Sequence, residues 1–150
     1  MKLIKYLQVL SLISLLCFSN VVVGQKDIDR ALKTWNKESI PYIYPENLTI
    51  SDSILFLDTR EKEDEKKILE TIPNTSQPII VYCSIGVRSE NIGEKLKKLG
   101  YTKIRNLHGG IFGWKNKGGE VFNDKEKATD SVHAFSKHWG KLLHEGIKVY

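Results

Sequence analysis

Cysteine is nearly absent from this chain of 150 residues, with only Cys17 and Cys83 present. Proline is sparse too, at four residues, so little of the chain is forced into extended or turn geometry. Charge of one sign is never concentrated. The formal net charge of +5 is evenly spread, which argues against a nucleic-acid partner. Three histidines near the end, His133, His138 and His144, are five and six positions apart. They fall on different helical faces, and no acid or cysteine joins them at ligand spacing, so no metal site is expected. With 41% hydrophobic and 27% charged residues, what remains is ordinary globular composition for one domain.

One long apolar run does occur. Lys2 and Lys5 precede "YLQVLSLISLLCF", and "VVVG" follows it, which is the layout of a secretory signal peptide cut after Gly24. An uncleaved membrane anchor is the rival, since the run from Leu3 to Val23 is long enough to span a bilayer. Ser11, Ser14, Ser19 and Asn20 make it a poor span, and Leu16 before Cys17 disfavours a lipid-modified cysteine. The chain is therefore read as a signal peptide over 1–24 and an exported domain over 25–150, periplasmic or secreted, with no membrane contact after cleavage. Cleavage removes Lys2, Lys5 and Cys17, which lowers the net charge to +3 and leaves Cys83 alone. A domain with one thiol has no internal disulfide, and its core must rest on burial.

Along the mature chain, "QKDIDRALKTWNKESI" carries Ile28, Leu32 and Trp35 at helical spacing and predicts an N-terminal helix. "PYIY" is a short strand candidate, and "PENL" opens a brief helix with proline in its first turn. "ILFLD" and "PIIVY" are apolar runs of the kind that form buried parallel strands. The charged stretch "REKEDEKKILETI" between them predicts an amphipathic helix. "SENIGEKLKKLG" reads as a helix with lysines in its last turn and Gly100 as its stop. "KIRNL" is a third short strand, and "GGIFGWKNKGG" a glycine-rich turn with one helical turn around Trp114. In "DKEKATDSVHAFSKHWGKLLHEGIKVY", Val132, Phe135, Trp139, Leu142 and Leu143 share one helical face. That pattern predicts an extra C-terminal helix docked on the domain. The triplets "NLT" and "NTS" match the glycosylation pattern, which matters only in a eukaryotic secretory route. Alternating strands and helices give an α/β fold with a small parallel sheet flanked by helices.

In such sheets ligands bind beyond the carboxyl ends of the strands, and Cys83 sits at one of those ends. Its loop, "CSIGVRS", leads into a helix whose first amides lack partners. Gly86 allows backbone angles that let several N–H groups converge, and the helix dipole and Arg88 add positive potential. Such surroundings lower a thiol pKa toward a thiolate, and the same donors suit a persulfide one atom further out. The alternative is an ordinary strand-to-helix turn in which Ser89 caps the helix, Arg88 is a solvated charge and Cys83 is a small buried hydrophobe.

Three segments carry a family resemblance. "ILFLDTRE", "PIIVYCSIGVRS" and "LHGGIFGWKNKG" occur in the order found in rhodanese-like sulfurtransferases of the single-domain type, and together they reach from about Tyr42 to Gly119. The resemblance implies a three-layer α/β domain with its core at about 40–119 and a C-terminal extension over 120–150. It implies that Cys83 carries sulfur as a persulfide, taken from a small anionic donor such as thiosulfate and passed to a thiol or protein acceptor that the sequence does not name. No cofactor is implied. The amides of Ser84, Ile85, Gly86, Val87, Arg88 and Ser89 would form the cradle. Arg88 would face anionic donors, Asp58 and Arg60 would support the neighbourhood, and Trp114 would pack. The chain departs from the family between Arg60 and Ile79. The eighteen residues there suffice for one crossover helix but not for the additional strand and helix the family usually has. The domain is thus internally shortened, by loss of an edge strand or of a longer stretch.

Other chemistries compete. Arg88 lies five positions after Cys83, a tighter ring than the six-position spacing of cysteine-dependent phosphatases. A cysteine–histidine hydrolase would need His108 at the loop together with a group to orient it. A thiol-redox role would need an external resolving thiol. A rhodanese-like binding module with little turnover is the alternative of a different class.

Overall fold

The computed structural model describes residues 25–60 and 72–150. The signal segment expected over 1–24, and all but the ends of the charged helix expected over 60–72, lie outside those residues. Among the described residues, no helix is long and apolar enough to cross a membrane.

Helix α1 covers 25–35 and buries Ile28 and Leu32, one turn apart. Trp35, expected on the same stripe, is 63% exposed, because it is the last helical residue and the chain turns away there. Four parallel strands form the sheet: β1 (Tyr42–Ile43), β2 (Leu55–Asp58), β3 (Ile79–Tyr82) and β4 (Ile104–Leu107), in the order β1-β4-β3-β2. A 3-10 turn at Pro45–Asn47 follows β1. Strand β2 pairs with β3 alone among the described residues, as the shortened connection implies. Alternate residues face opposite sides of a sheet. Leu55, Leu57, Ile79, Val81 and Ile104 share one side, where Ile40, Ile72, Leu96 and Tyr101 complete a core.

Helix α2 (Val87–Lys98) leads from β3 to β4. It closes as expected. The Tyr101 amide donates to the Leu96 carbonyl and the Gly100 amide to that of Lys97, with Gly100 left-handed at φ 94°. This double bond pattern satisfies the last helical carbonyls, and Lys95, Lys97 and Lys98 face the negative end of the helix dipole. Helix α3 (Gly110–Asn116) follows β4.

The C-terminal extension is not the helix that its apolar spacing predicts. It contains a hairpin of β5 (Val121–Phe122) and β6 (Ala128–Thr129), then β7 (Ser131–His133), a 3-10 turn at Trp139–Leu142, and β8 (Ile147–Val149) parallel to β7. Gly140 makes a continuous helix costly there. The β-branched run at the chain end instead pairs with the edge of β7. A side chain at Gly140 would meet the Tyr150 hydroxyl at 2.7 Å, so the turn packs against the final residue. Val132 and Leu143 are buried as expected, but by strand and turn. With Ala134 they join Ile28, Leu32, Ile85 and Phe112 in a second core.

Candidate active site

Cys83 follows the last residue of β3 and is 2% exposed. Gly86 precedes α2 at φ 106°, a conformation other residues resist, and its amide donates to Cys83 Sγ at 3.1 Å. Burial on its own would push the thiol pKa up. The amides of Ser89 and Gly86, the Ser89 hydroxyl and the Ile85 amide overcome it, and Cys83 lies below its ordinary value. Of the six loop amides expected around the sulfur, that of Gly86 bonds to it directly, and those of Ser89 and Ile85 act on its charge.

Two buried polar groups missed by sequence reasoning hold this loop. Asn106 of β4, fully buried, donates from Nδ2 to the Gly86 carbonyl at 2.8 Å and accepts from the Ser89 hydroxyl at 2.8 Å. That hydroxyl has one proton and two acceptors in reach, Asn106 Oδ1 and the sulfur. Glu90, buried in the first turn of α2, accepts from the Lys37 and Ser39 amides and the Ser39 hydroxyl at 2.7–3.0 Å, which ties the loop to the segment after α1. The sequence signal for Asn106 was a polar residue at an inward position of an apolar strand. Glu90 gave none beyond its helical position. Asn36 adds a further donor to the Gly86 carbonyl at 3.0 Å.

The rest of the loop is anchored by its backbone. The Cys83 carbonyl accepts the Ile111 amide at 2.9 Å and the Ser84 carbonyl the Phe112 amide at 3.0 Å. A side chain on Gly110 would stand 2.3 Å from the Cys83 carbonyl oxygen, which explains the glycine at the start of α3. Ile85 and Val87 pack into the second core. Among the described residues, the buried Ser84 hydroxyl has no hydrogen-bond partner.

The arginines divide their roles in a way the sequence does not reveal. Arg88 donates from Nη1 to the Arg60 carbonyl at 3.0 Å, and its Cζ lies 4.8 Å from the centre of the Phe135 ring. Arg60 grips Asp58 with two nitrogens, Nε to Oδ2 at 2.8 Å being one of the bonds. Burial opposes the Arg60 charge, but its bonds to Asp58, then the charges of Asp58 and Cys83, raise its pKa. The Cys83 charge is thus among those that act on the Arg60 guanidinium. Tyr82, beside it, is pushed up to about 12 by burial and by the Asp58 charge, and stays neutral. Next to this cluster, Phe56, Tyr82, Leu107, Ile111, Trp114 and Arg60 border a hollow of about 320 Å³. Trp114, expected to pack, also donates from Nε1 to the Glu120 carbonyl at 2.7 Å.

His108 faces away from the loop. It stacks on Tyr44 at 4.5 Å, meets Tyr42 edge-on at 4.9 Å, and lies 3.6 Å from Asp29 of α1. Burial, reinforced by Lys117, lowers its pKa against the pull of Asp29. No contact with Cys83 supports a hydrolase pairing. Among the described residues, His133, His138 and His144 belong to no cluster of three or more metal-ligating side chains.

A parallel α/β sheet with an amide-ringed cysteine beyond its third strand defines a class of cysteine-loop domains. The family model for the Rhodanese-like domain matches residues 33–117, more than half of the chain, and the protein belongs to this family. No curated protein matches. Among solved structures, a NAD-dependent persulfide reductase from A. fulgidus shares 28% identity over 50% of this chain, with a TM-score of 0.37, and the chain spans only 16% of that protein. A rhodanese-related protein from Thermoplasma volcanium shares 24% identity over 53% of this chain and 95% of its own, with a TM-score of 0.43. A protein of unknown function from Rhodopseudomonas palustris, described as a possible tyrosine phosphatase, shares 12% identity over 67% of this chain and 92% of its own, also at 0.43. At such TM-scores none of the three bears on function.

Proposed function

We propose that the protein is a sulfurtransferase or persulfide carrier in which Cys83 takes sulfane sulfur from thiosulfate-like anions and hands it to a thiol or protein acceptor. The signal-like residues 1–24 support placing this activity outside the cytoplasm. The observation that carries the reading is the buried thiol just beyond β3 with the Gly86 amide donating to its sulfur at 3.1 Å, and the lowering of its pKa by the Ser89, Gly86 and Ile85 amides agrees with it. The Cys83 thiolate attacks the outer sulfur of thiosulfate. A sulfur–sulfur bond forms at Cys83 as the one to the sulfonate sulfur breaks, and sulfite leaves with the electron pair. The persulfide is anionic at its outer sulfur, where the same ring of donors and the unpartnered Ser84 hydroxyl can stabilise it. An acceptor thiolate or cyanide then attacks that outer sulfur and restores the Cys83 thiolate. Each step moves one sulfur, with no external oxidant or reductant. The bidentate Asp58–Arg60 pair keeps a cation near the sulfur through both steps.

Mass spectrometry of the protein after thiosulfate should show a gain of one sulfur that Cys83→Ala lacks, and cyanide should discharge it as thiocyanate. Thiocyanate production by Cys83→Ala at the wild-type rate would refute the assignment. A second reading, a rhodanese-like binding module with little turnover, draws on the near-complete burial of Cys83. A persulfide that forms but is not discharged by any thiol would favour it.

A further inference from the structure

We propose that Phe135, in the C-terminal extension, is a positioning residue for the Cys83 loop. Its ring fixes the Arg88 guanidinium, so that the site favours anionic reagents over neutral ones. The inference rests on Cys83 being the reactive centre, but not on the identity of donor or acceptor. Phe135 also lies outside the residues matched by the family model.

Two features of Phe135 are unexplained by packing. Its side chain is 53% exposed, so it adds little to the core. Its backbone is left-handed at φ 62°, and the Ser136 amide reaches back to the Ala134 carbonyl at 2.6 Å. A hydrogen bond across one residue of positive φ makes a strained γ-turn, and a bulky side chain at its apex is unusual. Strain of this kind persists where the surroundings hold it in place, and it gathers at ligand clamps. The surroundings do hold it. The Ala134 amide donates to the Val149 carbonyl at 2.8 Å, and the Ser136 carbonyl accepts the Gly140 amide at 2.8 Å. The Ser136 hydroxyl accepts the Trp139 amide at 3.3 Å. Ala134 is fully buried in the same core as Ile85 of the cysteine loop.

What this support delivers is a ring face against Arg88, 4.8 Å from Cζ. The guanidinium is also pinned through Nη1 to the Arg60 carbonyl. A guanidinium has five N–H donors. With one committed and one face covered, the others are held at the edge of the loop instead of sweeping through solvent. An arriving anion then meets an oriented charge, and no rotamer freedom is lost on binding. A neutral reagent gains nothing from this. The rest of the extension fixes the strained turn to the loop, which gives a physical reason for a bulky side chain where glycine would be easier to accommodate.

The test compares alkylation of Cys83 by iodoacetate, an anion, and by iodoacetamide, its neutral counterpart, in the full chain at low salt. Their rate ratio does not depend on how much thiolate is present. Phe135→Gly relieves the left-handed strain while deleting the ring, so it should melt no lower than wild type. It should lower the iodoacetate-to-iodoacetamide ratio by about two- to fivefold, the range expected for an exposed cation–π contact. Phe135→Trp should restore the ratio. The KM for thiosulfate should rise in Phe135→Gly with kcat unchanged. An unchanged ratio in Phe135→Gly, no restoration by tryptophan, or a wild-type Cys83 inert to both reagents would overturn the proposal. A ratio that falls as expected in a protein that forms no persulfide would keep this role for Phe135 and refute the sulfur-transfer reading alone.

Discussion

A thiol sealed from water should be harder to ionise than one in solution, because its anion forfeits hydration. At Cys83 that penalty is present and outweighed, since four donors from three residues, Ser89, Gly86 and Ile85, act on one sulfur. The thiol should therefore titrate below the roughly 8.5 of a free cysteine, read as the pH midpoint of its alkylation rate. The folded pKa is depressed, so the unfolded chain binds more protons in the window between the two values. Stability from this group rises with pH through that window, is complete above the unfolded pKa, and is lost as pH falls through the folded one. Unfolding of wild type against Cys83→Ser across this range should show that slope in the wild type alone. Asn106 makes the cradle rigid, and its loss is a separate experiment. In Asn106→Leu the buried Ser89 hydroxyl loses one of its two acceptors and the Gly86 carbonyl one of two donors. Urea unfolding should show a loss of roughly 1–3 kcal/mol, with the alkylation midpoint moving up toward that of a free thiol. A midpoint that stayed put would mean the amides hold their direction without Asn106.

Elements were legible in the sequence where one signal dominated. The apolar runs at Ile54–Asp58 and Pro78–Tyr82 announced buried parallel strands, and Gly100 after three lysines announced a helix end; both strands and the helix end stand in the fold, but β2, at the end of the sheet order, is only half-buried while β3 is buried. The extension was misread because an apolar repeat of three and four residues fits a helix as well as a strand followed by a 3-10 turn. What decides between them is the long-range pairing of β7 with β8, and no local pattern encodes it. Arg60 was seen as support, but its coupling to Cys83 depends on the parallel register that sets Asp58 beside Tyr82. The Gly109–Gly110 pair read as a turn, yet the demand for glycine at position 110 comes from another element. A methyl group there would strike the Cys83 carbonyl, at a backbone angle of φ 55° that already disfavours it. Gly110→Ala should cost about 1–3 kcal/mol from the backbone angle, with more from the collision. Persulfide loading should fall further than stability does, because the displaced atoms belong to Cys83 and Ser84. Loading that merely tracked the folded fraction in a denaturant series would contradict this.

At the scale of the molecule, two cores divide the labour. One lies on the sheet face covered by α2, with Leu96 and Tyr101 at its centre. The other joins α1, α3 and the extension around Ile85, a residue of the cysteine loop itself. The extension therefore has a structural reason to matter at the site, although the family match ends before it. Leu143→Ala and Leu96→Ala both delete a fully buried leucine, and each should cost about 2–5 kcal/mol. Their effects on chemistry should part. Loss of Leu143 loosens the packing behind Ile85, whose amide is among those that hold the sulfur as an anion. Loss of Leu96 acts near the far end of α2, more than two turns from the loop. With both variants held fully folded by low temperature, Leu143→Ala should raise the Cys83 alkylation midpoint and slow persulfide loading, and Leu96→Ala should leave both near wild type. Equal effects from the two would mean the loop is held by its hydrogen bonds alone, with the second core contributing only stability.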